Sequence, residues 1–281
     1  MQLQPIQTTE AITSQDFING YFKQATPLIF QNFLQDRSIL TKWTYGYLTE
    51  KAGNVVVDLY GREDAFNEWV TSPPVDKMKL SHYLDLIRSQ PTDLRLFLFN
   101  LLKKSPELKQ ELQINDITNG KILSWLPFMF FGGKGSSVRY HYDIDMSHVF
   151  LTQLYGVKRV LLFPLDQSAQ LYRLPYNFHG IANLGDPDYT YYPALRRLQG
   201  YECILHPGDT LYIPSGFWHY IQYVTDGYSI SYRALSESYW QRLLGLRNIF
   251  ITRRFDNLMR RLFKEEWYTY KVNMAFRRAK G

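Results

Sequence analysis

The chain has 281 residues, 45% of them apolar and 21% charged, a globular balance that excludes a disordered or fibrous class. Its one cysteine, Cys203, excludes an internal disulfide and a cysteine-based zinc site, and fits a reducing, cytoplasmic setting. The formal charge of +6 is uneven, because residues 241–281 carry eleven Lys or Arg against Asp256, Glu265 and Glu266.

The start, "MQLQPIQTTEAITSQDF", has neither a basic opening nor an apolar run, and no segment reaches the roughly 18 apolar residues of a membrane span, so secretion and membrane insertion are not expected. In "TSQDFINGYF" Thr13 and Asp16 make a capping box, and Phe17, Tyr21 and Phe22 share one side, which predicts a short helix. "TPLIF" and "NVVVDLYG" read as strands, "LSHYLDLIRS" as a helix, and "SPELKQEL" as a second helix with a Ser cap and Pro in its first turn. From about Ser124 to Leu235 eight short runs follow one another between Gly, Pro and Asp, beginning with "FMFFGG" and ending with "YSISYRAL". That spacing predicts a jelly roll or barrel rather than a parallel α/β sheet.

One long Tyr/Pro-rich insertion, residues 174–200, interrupts these strands; loops of that length commonly serve a site, so Tyr189 and Tyr191 are candidate substrate contacts. After Ser236, Trp240, Leu243 and Leu244, then Phe255, Leu258, Met259, Leu262 and Phe263, recur at helical spacing. They predict a pair of basic amphipathic helices that cover the barrel or pair with a second subunit. The expected organisation is an N-terminal α/β region over 1–123, a β core over 124–235 and C-terminal helices over 236–281. "GGKGSS" lacks the spacing of a phosphate loop and reads as a strand connection.

The core holds "YHYDIDMSHVF", with two imidazoles and two carboxylates in eleven residues. Residues two apart on a strand share a face, so His141 and Asp143 project together, while His148 has the opposite parity. Asp145 shares their face further along, as a rim or substrate-side group. One imidazole nitrogen and one carboxylate oxygen suit a divalent ion, and His219, delivered by "HPGDTLYIPSGFWHYI", completes a two-histidine, one-carboxylate set of the kind found in non-haem Fe(II) oxygenases.

The order HxD, "QLYGVKRVLLFP", "HPGDTLYIPSGFWH" resembles the cupin-like JmjC dioxygenases, in particular their asparaginyl-hydroxylase branch and its bacterial relatives, over most of residues 25–270. The resemblance implies a double-stranded β-helix, mainly β with flanking helices, that uses Fe(II), 2-oxoglutarate and O₂. It implies His141, Asp143 and His219 as metal ligands and Lys158 as the partner of the distal carboxylate of 2-oxoglutarate. Two polar anchors of that branch are absent: Phe97 stands in place of a tyrosine, and Val138 in place of a threonine, with Ser137 beside it as the candidate hydroxyl. Arg233, near the end of "SISYRAL", is the candidate compensating charge.

The expected activity is hydroxylation of a protein side chain, with RNA or small-molecule substrates as further readings and a homodimer through the C-terminal helices. The alternative from another class is a metal-binding or interaction protein that has lost turnover on the same scaffold.

Overall fold

The computed structural model describes residues 1–61 and 73–280. Its strands are β1 (Gln2–Pro5), β2 (Thr8–Thr9), β3 (Leu28–Phe30), β4 (Val56–Leu59), β5 (Asp76–Lys79), β6 (Arg95–Phe99), β7 (Phe128–Gly132), β8 (Ser137–His141), β9 (His148–Tyr155), β10 (Lys158–Phe163), β11 (Gln199–Leu205), β12 (Thr210–Ile213), β13 (Trp218–Tyr223) and β14 (Gly227–Ala234). Its α-helices are α1 (Ser14–Phe17), α2 (Ile39–Lys42), α3 (Tyr45–Ala52), α4 (Leu80–Ser89), α5 (Leu101–Lys104), α6 (Pro106–Glu111), α7 (Tyr239–Arg247) and α8 (Arg253–Lys280).

All eight strands expected between Ser124 and Leu235 form, and they divide four and four between two sheets. One sheet runs β1-β11-β10-β13-β8, the other β2-β3-β12-β9-β14-β7-β6. Every pairing among β7–β14 is antiparallel, which makes the core a double-stranded β-helix. N-terminal strands extend both sheets: β1 lies parallel to β11, β3 pairs with β12, and β6 pairs with β7.

Strand parity sorts the side chains into three layers. On β10, Val160 and Leu162 enter the core between the sheets, while Leu161 and Phe163 face outward. On β9, Val149 and Leu151 point in and Phe150 points out. The outer face of the longer sheet is covered by N-terminal elements, with Phe17, Trp43, Leu48 and Tyr83 fully buried against Phe150 and Tyr228. The outer face of the shorter sheet is covered by the insertion and the chain's end, with Leu171, Leu195 and Ala275 packed on Tyr140 and Trp218.

Thr13 caps α1 as expected: it accepts from the Asp16 amide at 3.1 Å and donates to the Asp16 carboxylate at 2.7 Å. The C-terminal pair departs from expectation in one respect. Helix α8 breaks at Lys264 (φ 43°, ψ −118°), and the segment beyond turns back so that Lys271 meets Asp256 at 2.8 Å. Among the described residues no helix is long and apolar enough to cross a membrane.

Candidate metal centre

His141 ends β8 and stands opposite His219 of β13 in the ladder, which brings their ring centroids to 4.3 Å. Asp143 is not on the strand, as parity assumed; β8 stops at His141, and Asp143 projects from the turn that follows. The three ligand atoms of His141, Asp143 and His219 lie within 4.8 Å of one another. Each histidine uses its inner ring nitrogen locally: Nδ1 of His141 sits 2.8 Å from the Arg139 carbonyl, and Nδ1 of His219 sits 3.2 Å from the Phe217 carbonyl. An Nδ1–H donating there fixes the tautomer and leaves Nε2 to bind a cation.

The electrostatics favour a ligating set in its metal-ready form. Burial pushes the His219 imidazole down to about 4, so it is neutral near pH 7. Burial alone would raise Asp143, but the Arg233 guanidinium and the two imidazoles outweigh it and hold the carboxyl at about 2. Arg233 donates to Asp143 at 3.0 Å, to both oxygens of Asp145 at 2.6 and 2.8 Å, and to the Ser147 hydroxyl at 2.7 Å. The turn is backed by α7, where a Cβ on Gly245 would stand 2.3 Å from the Asp145 carbonyl oxygen, and Asn248 donates to the Ile144 carbonyl at 3.2 Å.

The triad opens into a cavity of about 210 Å³ between the sheets. His219, Ile221 and Tyr223 line it from alternate positions of β13, so it runs about 13 Å from the histidines to Tyr223 at ~3.3 Å per residue. At the far end Lys158, fully buried, faces Tyr223 in register; its ammonium lies 4.4 Å from the Tyr223 ring centroid and donates to the Ser229 hydroxyl.

The other expected site residues fall differently. Ser137 does not line the cavity: the β8–β13 register slips between His219 and Ile221, so Val138 faces the interior opposite Ile221 and Ser137 pairs with Gln222. Arg233 lines the cavity at its metal end, and its guanidinium is engaged by Asp143 and Asp145 rather than held near Lys158. Asp145 sits beside the triad as the bidentate partner of Arg233. Tyr189 packs under Arg196, whose guanidinium is 4.9 Å from its ring centroid, and Tyr191 lies exposed against Tyr192 and Phe276. Neither tyrosine reaches the cavity.

His148 faces the outer layer, stacked at 4.0 Å on Phe22, with its Nδ1 accepting from Tyr212 at 2.8 Å and from the Ser215 amide at 3.1 Å. Three cavity residues with basic side chains, Arg95, Arg139 and His179, carry no role in the sequence reading, which sets His179 aside as part of the insertion. Arg95, a lone cation in the apolar run "LRLFLF", carried a signal; His179, brought in by the insertion through a bridge to His141, carried none.

A double-stranded β-helix with two histidines and one carboxylate at its mouth has the ligand set of the non-haem iron oxygenases. The chain matches the cupin-like domain family over residues 14–242 and belongs to that family. It is 27% identical over 243 residues to lysine-specific demethylase JMJ30 of Arabidopsis thaliana, covering 81% of this chain and 54% of the relative. It is 28% identical over 243 residues to Jumonji C domain-containing protein 5 of Drosophila melanogaster, covering 79% and 58%. To human tRNA wybutosine-synthesizing protein 5 it is 25% identical over 234 residues, covering 76% and 73%. The chain thus spans little more than half the length of the first two of these relatives.

Proposed function

We propose that this chain is an Fe(II)- and 2-oxoglutarate-dependent oxygenase that hydroxylates a macromolecular side chain. The observation that carries the reading is a two-histidine, one-carboxylate set at one end of a cavity between the sheets with a buried lysine at the other. Bound iron would supply O₂ activation coupled to oxidation of 2-oxoglutarate to succinate and CO₂. His141 and His219 offer Nε2, Asp143 a carboxylate oxygen, and Lys158 an ammonium for the far carboxylate of the 2-oxo acid. Arg233 holds the Asp143 carboxylate in place, and Val138, Leu151 and Ile221 supply apolar wall to the cavity.

A protein side chain is the favoured substrate, since two of the relatives above carry demethylase or Jumonji names. An RNA substrate is the second reading, supported by a relative named for tRNA wybutosine synthesis and by the basic tail. The absent hydroxyls at Phe97 and Val138 favour a reading without turnover, as a metal-binding or interaction protein on this scaffold. One experiment separates turnover from its absence: protein mixed with Fe(II), ascorbate and 2-oxoglutarate releases succinate, and His141→Ala abolishes it. Iron binding without anaerobic 2-oxoglutarate binding would sink the oxygenase reading.

We also propose a homodimer through the C-terminal region, within the division 1–123, 124–235 and 236–281. Leu243, Leu246, Ile251, Leu258 and Leu262 are each more than half exposed, apolar side chains that a second copy would cover. Light scattering gives twice the chain mass for the wild type and a single chain for a Leu258→Glu/Leu262→Glu variant. The lone Cys203 leaves no internal disulfide, which is the support for a reducing compartment such as the cytoplasm.

A further inference from the structure

Of the cations that line the cavity, Arg233 is paired at the metal end and Arg139 stands two residues before His141, which leaves Arg95 and Lys158, and the proposed chemistry uses only Lys158. Arg95 is 3% exposed and lines the same chamber as Lys158, which is 1% exposed. Neither takes part in any ion pair among the described residues. One terminal nitrogen of Arg95 donates to the Gly61 carbonyl at 2.8 Å, and its Nε, buried, has no hydrogen-bond partner among the described residues. Two like charges desolvated in one chamber with no counter-charge among the described residues are costly, and the cost is relieved when an anion enters between them.

The two cations are linked by the residues between them. Arg95 stands opposite Gly132 in the β6–β7 ladder. Gly132 leaves room for the Tyr223 ring, since a Cβ there would come within 2.7 Å of it. The other neighbour of that ring is the Lys158 ammonium, 4.4 Å from its centroid. Lys158 and Arg95 thus both stand on the Tyr223 side of the chamber, close enough for Arg95 to act electrostatically on that ring, at the end farthest from His141 and His219.

We infer that Arg95 is a second anchor for the cosubstrate, its guanidinium sharing the distal carboxylate of the 2-oxo acid with Lys158. The inference rests on the 2-oxoglutarate reading above and names the residue that makes the site selective for a dicarboxylate. A guanidinium offers donors in a planar fork that matches a carboxylate, and an ammonium offers a point charge, so the pair satisfies both oxygens of one carboxylate. Burial pushes Lys158 down to about 7, so near neutral pH a lysine alone carries only part of a charge.

The test uses the full chain loaded with redox-inert Mn(II), titrated by calorimetry with 2-oxoglutarate and with oxalate, a chelator that has no distal carboxylate. Arg95→Gln is expected to weaken 2-oxoglutarate tenfold or more and to leave oxalate within twofold. Arg95→Lys, which keeps the charge and loses the fork, gives an intermediate loss with the same selectivity and carries the test if the glutamine variant does not fold. Equal losses for both ligands, or an unchanged 2-oxoglutarate affinity in a folded variant, would overturn the role of Arg95. Wild type that binds oxalate and not 2-oxoglutarate would instead overturn the cosubstrate reading on which it rests.

Discussion

Arg233 and Asp143 are joined across the mouth of the β-helix, with a guanidinium nitrogen 3.0 Å from the carboxylate oxygen of a residue that also belongs to the metal set. The same guanidinium holds both oxygens of Asp145, so a single cation orders the whole turn from Asp143 to Ser147. Groups that orient metal ligands commonly matter about 10- to 100-fold in metal affinity. Arg233→Met is therefore expected to weaken Mn(II) binding by about tenfold or more, read by titration. Asp145→Asn, which keeps Arg233 beside Asp143, is expected to cost less. Equal metal affinity in wild type and Arg233→Met would mean that the turn is ordered without it.

His148 gives the opposite expectation although it lies only seven residues beyond His141. It faces Phe22 and the outer layer, and burial holds it down at about 4. His148→Ala should leave Mn(II) affinity within twofold and lower the melting temperature, because Tyr212 and the Ser215 amide lose their acceptor at a cost of ~1–3 kcal/mol. Its pH signature has a definite sign. An unfolded chain takes up a proton on this imidazole between about pH 6.5 and 4 while the folded chain does not, so stability falls with acid across that window. The alanine variant lacks that part of the acid sensitivity.

These two residues mark what a sequence can and cannot disclose. The parity count that set His148 apart from His141 runs through a turn, and the two residues in fact lie on different strands, β9 and β8, in different sheets, so the outcome stands but its cause is the fold; the eight core strands, by contrast, were legible from alternation within each one. The slip beside His219, which turns Ser137 away, is a property of two paired strands and leaves no trace in one of them. Tyr189 and Tyr191 sit in a segment whose burial depends on a helix some eighty residues later, through Phe276. Strand β1, "QLQP", offers only Leu3 as a packed apolar residue, too short a pattern to announce a strand, and it forms because the edge of β11 is there to pair with. Arg95 was visible as a charge in an apolar strand, but only the fold places it in the same chamber as Lys158.

Lys158 predicts how cosubstrate binding depends on pH. Burial lowers its ammonium from the usual 10.5 to about 7, so in the ligand-free chain it is largely neutral at pH 8. A carboxylate docked against it favours the charged form, so binding above about pH 7 takes up a proton. Affinity for 2-oxoglutarate is expected to be flat below that pH and to fall above it, by up to about tenfold per pH unit. Calorimetry in buffers of different ionisation heat reads the proton directly, and Lys158→Met removes both the affinity and its pH dependence. The ligand-free fold shows the complementary trend: the unfolded chain binds this proton up to about 10.5, so the lysine's contribution to stability rises with pH between the two values.

The hairpin at the C-terminus supplies a last test, of packing rather than chemistry. Asp256 and Lys271 meet at 2.8 Å with side chains 1% and 0% exposed, and the Trp267 indole donates to the same carboxylate oxygen at 2.9 Å. Removing one partner of such a pair strands the other charge away from water, at ~3–5 kcal/mol, while replacing both by apolar groups can cost little. Lys271→Met is therefore expected to loosen the hairpin strongly, and Asp256→Leu/Lys271→Met to recover part of the loss. Because Ala275 and Ala279 lie beyond Lys271 on the covering helix, hydrogen exchange should rise in Tyr140 and Trp218, the outward residues of β8 and β13 that this helix shields. Those strands also deliver His141 and His219, so metal affinity in the single variant reads how far the cover braces the centre. A change in melting temperature without a change in Mn(II) binding would show that the triad is held by the ladder alone.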